Sequence, residues 1–413
     1  MLEPQGTLFL IVLLLAFGGL ITWVALAKRA VFRIIAACLA FIPAMVFGIF
    51  AVNKYYDYYQ TWGALYSDLS GQTSSIPHLT AAGLGNGTAG SLKSLIGNSS
   101  DAQIDAQYGL LFSATITGHR THISRQALIY LPPQYFRKAY ATYRFPAIEL
   151  LHGAPGDPQA WVDVMNVVPI YLNAMESGKA APAVLVIPNT DGGQNYGLQC
   201  LNDPHGIQDM TYVAEEVPDW AAANLRVQRP GQEWGVAGYS EGGYCAANIA
   251  LQHPNLFGYA ASLSGYFAPI PSQVPQGGKP GGTPIDVNDF AHNKKLLVIN
   301  SPDEYIERVS VTVSVPQFFL AAGAADRGDV QAAETFKQEL SLRDADVPLD
   351  IIQGGGHQAT VWRAALTPMF DWMTPQLAAD VQRMERVARL AARHRAEMHH
   401  HRTDKAPKAK LLT

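Results

Sequence analysis

Ser240 lies in the pattern Gly-x-Ser-x-Gly, between Gly238 and Gly242, and follows directly after an apolar segment. In a nucleophile elbow this pattern forms a sharp, strained turn between a strand and a helix, which exposes the serine hydroxyl above a sheet. A glycine-rich turn with a solvated serine fits the same five residues, so the pattern alone leaves two interpretations open. The choice depends on whether the chain also provides a base and a carboxylate.

A serine hydroxyl is a weak nucleophile and needs a general base, which a third group orients. His357 follows an apolar segment on a glycine-rich stretch, and Asp326 lies at the end of another apolar segment. The chain order serine, acid, histidine is that of α/β-hydrolases. We therefore predict a catalytic triad of Ser240, Asp326 and His357, with Asp329 and Asp303 as the reserve candidates for the acid.

Acyl transfer also requires donors to the oxyanion, usually two backbone N–H groups. Glu241, the residue after the predicted nucleophile, is expected to supply one of them. The second is expected from Ala154, because it lies on the turn after the apolar segment Glu-Leu-Leu-His-Gly at residues 149–153. In α/β-hydrolases this donor comes from the loop after an early strand. A glycine-rich turn without a function is the other interpretation of this segment.

The elements that must position these residues follow a regular rhythm. Continuous apolar segments alternate with segments of helical length, which indicates a parallel sheet covered by helices on both faces. In such a sheet the chemistry lies on loops at the carboxyl ends of the strands. Before this region, two alternating segments joined around Gly118 and His119 predict an antiparallel opening pair. The apolar segments predicted as strands are residues 145–153, 181–190, 232–240, 257–265, 294–300, 317–326 and 347–356.

Two uncharged apolar segments, residues 7–27 and 34–52, precede this region, and each approaches the ~20 residues that cross a bilayer as a helix. Lys28, Arg29 and Arg33 lie between them. The positive-inside rule places this basic loop in the cytoplasm and both ends of the hairpin outside. A cleaved signal peptide is the competing interpretation of the first segment, although its apolar length exceeds a typical signal core. We predict a multi-pass membrane protein with two spans and an extracytoplasmic catalytic domain.

The predicted organisation has four parts: a transmembrane hairpin (1–53), a linker rich in Gly, Ser, Thr and Asn (54–107), a catalytic domain (108–375) and a basic helical tail (376–413). Within the catalytic domain, the segment 268–289 is rich in proline and glycine and is either a mobile cap or a surface insertion. The tail is either a solvated helix or a helix attracted to anionic lipid headgroups.

The composition excludes some classes of function. A formal net charge of -4 and the absence of a basic and aromatic stripe in the sequence argue against nucleic acid as a partner. His399, His400 and His401 are adjacent in a polar tail and do not make a defined metal site; no metal or organic cofactor is predicted. Cys200 and Cys245 lie in the part predicted to be exported, where a disulfide can form, but two unrelated buried cysteines fit the spacing equally well.

Four features together resemble one esterase family, which includes esterase D-type S-formylglutathione hydrolases, feruloyl esterases and secreted mycolyltransferases. These features are LLHGAPGDPQAW at 150–161, GYSEGG at 238–243, Asp326, and GGGHQATVW at 354–362. The resemblance covers roughly residues 108–373 and implies an α/β-hydrolase fold. It also implies a triad and an oxyanion hole, which transfer to Ser240, His357, Asp326, Ala154 and Glu241.

The segment 194–220 is similar to actinobacterial members of this family, and that similarity favours a bridge between Cys200 and Cys245. The membrane hairpin departs from the soluble members and argues against a small cytosolic substrate. We predict a membrane-anchored serine esterase or acyltransferase, acting through an acyl-enzyme on a carboxylic ester of a lipid or cell-envelope component. The alternative is a non-catalytic, membrane-anchored binding protein on the same fold.

Overall fold

The computed structural model describes residues 3–56, parts of 59–66, residues 78–79 and residues 107–404, except 193–197, 205, 270–292 and 311. The predicted cap segment 268–289 lies almost entirely outside the described residues, as does most of the predicted linker 54–107.

The chain begins with two antiparallel helices, α1 (Thr7–Leu26) and α2 (Ala30–Tyr56). Both are long and apolar enough to cross a membrane, with mean hydropathies of 2.6 and 2.5. Phe9 near the start of α1 packs edge-on against Phe50 near the end of α2, with ring centroids 5.1 Å apart, and Trp62 packs against both rings. Aromatic residues of this kind are enriched at membrane–water interfaces.

The connection between the two helices is shorter than the sequence predicts. Arg33, which we expected in the loop, lies in the first turn of α2, because α2 begins at Ala30. The Arg33 guanidinium donates from Nε to the carbonyl oxygen of Ala27 at 2.8 Å. That carbonyl lies at the end of α1, where backbone oxygens lack intrahelical donors. The basic charge therefore still lies at the turn of the hairpin.

The described residues form one mixed sheet with the strand order β1-β2-β3-β5-β4-β6-β7-β8-β9, whose edge strand β1 comes from the segment predicted as linker. β2 pairs antiparallel with β3, and β3 pairs antiparallel with β5, while the remaining pairs are parallel. The α/β-hydrolase fold and its antiparallel opening pair are thus confirmed. The strands are β1 (His78–Leu79), β2 (Leu110–Thr117), β3 (Ser124–Leu131), β4 (Ala147–Leu151), β5 (Val184–Pro188), β6 (Gly231–Tyr239), β7 (Phe257–Leu263), β8 (Gln317–Gly323) and β9 (Leu349–Ile352).

Helices cover both faces of the sheet, and each face has its own apolar core. Alternate residues of β4 point to opposite cores: Ala147 and Leu151 to one, Ile148 and Leu150 to the other. The first core includes the helices at residues 209–224, 241–252, 302–308 and 327–341, and the second includes those at 159–163, 167–176 and 359–404. The helices are α3 (Gln159–Asp163), α4 (Val167–Glu176), α5 (consecutive segments Asp209–Thr211, Tyr212–Glu216 and Val217–Asn224), α6 (Glu241–Gln252), α7 (Lys294–Ile299), α8 (Pro302–Arg308), α9 (Arg327–Ser341) and α10 (Ala359–Asp404), with short 3-10 turns at Pro133–Phe136 and Lys138–Tyr140.

One predicted strand is wrong. The apolar segment 294–300 forms the helix α7, and β7 pairs directly with β8, so that the sheet has no place for a strand between them. The side chain of Asn293 caps α7 by accepting a hydrogen bond from the backbone N–H of Leu296 at 3.2 Å. A short apolar run does not by itself distinguish a buried strand from a helix. The asparagine directly before this run is a preferred N-cap residue and was the sequence signal that favoured a helix.

The helix α10 crosses the predicted boundary at residue 375 without interruption. Leu377 is fully buried in the second core, Val381 is also fully buried, and Asp380 accepts a hydrogen bond from the hydroxyl of Tyr259 on β7 at 2.7 Å. The first part of the predicted tail therefore packs against the sheet, and α10 leaves the body only beyond these residues.

Candidate active site

Ser240 is the single residue between β6 and α6, and its backbone is strained. Its φ and ψ are 55° and -123°, in a region that residues other than glycine rarely adopt. The backbone N–H of Ser240 donates to the carbonyl oxygen of Leu263 at the end of β7, at 2.9 Å. Strained backbone of this kind concentrates at functional sites. The chain therefore makes the turn that the nucleophile elbow requires.

The two flanking glycines are needed because backbone segments touch each other at this turn. A Cβ at Gly238 would lie 2.1 Å from the carbonyl oxygen of Gly242. A Cβ at Gly242 would lie 2.2 Å from the carbonyl oxygen of Leu151, at the end of β4. Neither position has room for a side chain, so the pattern reflects packing of α6 against the strands.

The imidazole of His357, on the loop between β9 and α10, connects Ser240 to a carboxylate. Its Nε2 lies 2.9 Å from Ser240 Oγ, and its Nδ1 lies 2.7 Å from Oδ2 of Asp329. A carboxylate at Nδ1 accepts a hydrogen bond from the Nδ1–H, which leaves the Nε2 lone pair to accept from the serine hydroxyl. The ring of Trp362 meets His357 at 86° with centroids 5.2 Å apart and limits the movement of the imidazole.

The predicted acid, Asp326, does not contact His357 and is corrected here. Asp326 is the N-cap of α9, and its Oδ1 accepts from the backbone N–H of Asp329 at 3.1 Å. The cap turns that carboxylate toward the helix, whereas Asp329, in the first turn of α9, faces His357. The second reserve candidate, Asp303, accepts from the backbone N–H of Glu304 in α8 instead.

Asp326, Asp329 and His357 present ligand atoms within 4.8 Å of one another, a spacing that also suits a metal ion. Both nitrogens of His357 are already hydrogen-bonded, one to Ser240 and one to Asp329. The cap of α9 likewise occupies Asp326. These residues therefore fit a hydrogen-bonded relay better than a metal site.

The two segments predicted to supply oxyanion donors, at Ala154 and at Glu241, both adjoin Ser240. Glu241 is the first residue of α6, where N–H groups lack intrahelical acceptors and the helix end is positively polarised. Ala154 follows Gly153, and a Cβ at Gly153 would lie 3.1 Å from the Cβ of Ser240. The Gly153–Ala154 peptide is thus adjacent to Ser240.

The side chain of Glu241 is buried beneath the turn, with 4% of its surface exposed. Its Oε1 accepts from the backbone N–H of Gln199 at 3.1 Å, and Oε1 of Gln199 in turn accepts from the hydroxyl of Tyr266 at 3.2 Å. Burial raises the pKa of the Glu241 carboxyl to about 8, and the negative charges of Asp191 and Asp209 also raise it. This carboxyl is therefore mostly protonated at neutral pH.

A disulfide joins Cys200 to Cys245 and ties the Gln199 loop to α6. Of the two interpretations of these cysteines, the structure therefore supports the disulfide rather than two unrelated buried side chains. Gln199 and Cys200 both have positive φ, 50° and 46°. The bridge closes a sequence separation of 45 residues, for which loop-closure entropy gives a stabilisation of about 4 kcal/mol.

Sequence reasoning missed a buried ion pair behind the site. Arg125 on β3 donates from Nη1 to Oδ1 of Asp209 at 2.5 Å, and only 9% and 0% of their side chains are exposed. The guanidinium also donates to the carbonyl oxygen of Asn189 and lies over the ring of Tyr212. Burial raises the pKa of Asp209 to about 6, and the charge of Arg125 opposes that rise. The partners are 84 residues apart, so no local pattern reveals them.

The fold and this constellation define a class of protein, and the comparisons agree with it. Residues 118–373, more than half of the sequence, match the model of the family described as "Putative esterase". The chain belongs to this family, which confirms the resemblance seen in the sequence.

Among curated relatives, an uncharacterized protein of Corynebacterium glutamicum is 25% identical over 253 residues, covering 60% of this chain and 57% of the relative. The MPT51/MPB51 antigen of Mycobacterium tuberculosis is 46% identical over 121 residues, covering 28% of this chain and 40% of the antigen. The chain thus spans about half the length of the curated relatives it matches.

Solved structures share the fold. A ferulic acid esterase superposes with a TM-score of 0.53 at 20% identity, covering 65% of this chain and 98% of the other. A fluorophosphonate-binding serine hydrolase of Staphylococcus aureus gives 0.52 at 18% identity, with coverages of 64% and 98%. An S-formylglutathione hydrolase of the same species gives 0.51 at 17%, with coverages of 64% and 98%.

The contact between His357 and Asp329 generates the first prediction. Asp329→Asn should lower the kcat for ester hydrolysis by about 10⁴-fold, because an amide cannot hold the imidazole in the required tautomer. Asp326→Asn is the matched control and should stay within about threefold of wild type, since asparagine is an equally good N-cap. The measurement is steady-state hydrolysis of a p-nitrophenyl ester, and a large loss in Asp326→Asn with a small one in Asp329→Asn would contradict the contact.

The buried carboxyl of Glu241 generates a prediction about pH and stability. Its pKa is about 8 in the folded chain against an ordinary 4.5, so between these values the unfolded chain releases a proton that the folded chain keeps. The free energy of unfolding should therefore fall as pH rises through this interval. Glu241→Gln should show a smaller fall than wild type in denaturant titrations followed by tryptophan fluorescence, whereas Glu304→Gln, at an exposed position, should follow wild type. Identical pH profiles for Glu241→Gln and wild type would refute this.

Proposed function

We propose that this chain is a membrane-anchored serine esterase or acyltransferase that forms an acyl-enzyme on Ser240. The observation that carries the proposal is the relay of Asp329, His357 and Ser240, with hydrogen bonds of 2.7 and 2.9 Å at a strained turn. Membership in the esterase family supports it.

The geometry supports a two-step reaction. Ser240 Oγ attacks the ester carbonyl carbon while its proton moves to Nε2 of His357, and Asp329 stabilises the imidazolium that forms. The carbonyl oxygen becomes an oxyanion and accepts from the backbone N–H groups of Ala154 and Glu241. When the intermediate collapses, the alcohol takes the proton from Nε2 and leaves the acyl group esterified to Ser240.

The second step decides between hydrolysis and transfer. His357 removes a proton from water or from an acceptor alcohol, which attacks the carbonyl carbon of the acyl-enzyme. The bond to Ser240 Oγ then breaks, Oγ takes the proton back from Nε2, and an acid or a new ester is released. Both outcomes use the same residues and require no cofactor. A non-catalytic binding protein would need neither a strained Ser240 nor an imidazole held between serine and carboxylate, so the catalytic alternative is favoured.

The membrane location of the substrate is part of the proposal. The two apolar helices keep the catalytic region near a bilayer, which raises the effective concentration of lipid-borne esters. A lipid or cell-envelope ester is therefore the proposed substrate. Lys28, Arg29 and Arg33 at the turn of the hairpin favour a cytoplasmic turn and an extracytoplasmic catalytic domain. The Cys200–Cys245 bridge is consistent with that compartment, because disulfides persist in oxidising environments.

Removing the attacking oxygen tests the chemistry. Ser240→Ala should lower turnover of a p-nitrophenyl ester by at least about 10⁴-fold, while Ser341→Ala, on the surface of α9, should match wild type. The same proteins incubated with lipid extracts test the substrate, with ester consumption followed by mass spectrometry. An ester consumed by wild type and left intact by Ser240→Ala supports a lipid substrate; turnover of soluble esters alone counts against it.

Topology is tested independently of chemistry. A phosphatase that is active only after export should be active when fused after Thr413 and silent when inserted at Ala30, because the hairpin turn is proposed to be cytoplasmic. The reverse pattern would refute the extracytoplasmic location.

A further inference from the structure

The peptide between Gly153 and Ala154 carries one of the two N–H groups proposed to bind the oxyanion. This peptide is trans, so its C=O and N–H point in opposite directions in one plane. Whatever holds the carbonyl oxygen of Gly153 therefore also sets the direction of the Ala154 N–H. No element of regular secondary structure holds it, because this loop lies between β4 and α3.

His152 holds that carbonyl. Its Nδ1 lies 2.9 Å from the oxygen of Gly153. Its Nε2 lies 3.1 Å from both the backbone nitrogen and the Oγ1 of Thr190, just after β5. Only 2% of His152 is exposed. The ring thus spans the carboxyl ends of β4 and β5, which are neighbours in the sheet.

The partners fix the tautomer of His152. The backbone N–H of Thr190 can only donate, so Nε2 must accept; the carbonyl of Gly153 can only accept, so Nδ1 must carry the proton. Burial lowers the pKa of His152, and the charge of Arg125 lowers it further, while Asp191 and the contact with Gly153 oppose the shift. The neutral ring that these contacts require is therefore the form that burial favours.

The loop packs closely around this hydrogen bond. Gly156 folds back over it, and a Cβ at Gly156 would lie 2.6 Å from the oxygen of Gly153 and 3.3 Å from Nδ1 of His152. On the other side, Gly153 lies against Ser240 and Tyr239.

We propose that His152 is a positioning residue: its Nδ1–H holds the Gly153 carbonyl and thereby aims the Ala154 N–H at the oxyanion. This inference rests on the proposed acyl-enzyme chemistry at Ser240. His152 does not touch the substrate, and its effect on the reaction passes entirely through the Gly153–Ala154 peptide.

The test compares His152→Leu, which removes the donor, with His152→Asn, whose side-chain amide can donate from a position close to that of Nδ1. The full-length chain in detergent is used, and rates are expressed per site labelled by a fluorophosphonate, so that misfolded protein does not count. His152→Leu should lose about 10- to 100-fold in kcat with KM changed less than about threefold, because an oxyanion donor acts mainly in the transition state. His152→Asn should lose less, and His119→Leu, at an exposed turn, should match wild type.

A second readout separates positioning from packing. A trifluoromethyl ketone adds to the serine and places a charged oxygen where the oxyanion forms, so its inhibition constant should rise in His152→Leu by about the factor that kcat/KM loses. If His152→Leu does not fold, Gly156→Ala replaces it, because the new Cβ must displace the Gly153 carbonyl while His152 remains.

Failure of the role of His152 and failure of the proposed function would give different results. A kcat for His152→Leu or Gly156→Ala within about twofold of wild type, or equal losses in His152→Leu and His152→Asn, would overturn the role of His152 while leaving the proposed function intact. A wild-type chain that neither labels nor turns over an ester would overturn the proposed function itself, and the inference with it.

Discussion

Backbone segments meet without intervening side chains at the turn that carries Ser240, and the site depends on that contact. The first turn of α6 lies against the carbonyl of Leu151 at the end of β4, and Gly238 lies against Gly242 across the turn. This packing holds Ser240 at a positive φ, brings the Gly153–Ala154 peptide alongside it, and leaves the N–H of Glu241 at the open end of a helix. Ser240 and both proposed oxyanion donors therefore share one closely packed piece of structure.

His357 lies on the loop after β9, and Asp329 lies in the first turn of α9, the helix that follows β8. Their positions depend on α9 and α10, whose first turns place the carboxylate and support the imidazole through Trp362. Behind the turn lies a second set of buried polar groups, including Glu241, His152 and Asp209. Burying such groups costs free energy of folding. They are concentrated at the carboxyl ends of β4, β5 and β6, next to the candidate site, which indicates that this part of the fold is less stable in return for positioning the site.

Much of this was predictable from the sequence, because the signals were local. The glycines around Ser240 and the apolar strands each depend on a few neighbouring residues, and the structure reproduces the glycine turn and all but one of the predicted strands. The acid was misassigned because Asp326 and Asp329 follow the same strand, and which of them caps α9 depends on where that helix begins. The strand predicted at 294–300 failed for a similar reason, since its apolar residues fit a short helix as well. The contacts of Arg125 with Asp209 and of His152 with Thr190 join residues that are distant along the chain and required the fold itself.

The most direct test of the central claim is to locate the reactive residue chemically. The full-length chain is treated with a fluorophosphonate, digested, and mapped by tandem mass spectrometry, with Ser240→Ala treated in parallel. The account predicts one phosphonylated residue, Ser240, and no adduct in the variant. A principal adduct on another residue, or an unmodified Ser240 in folded protein, would contradict it.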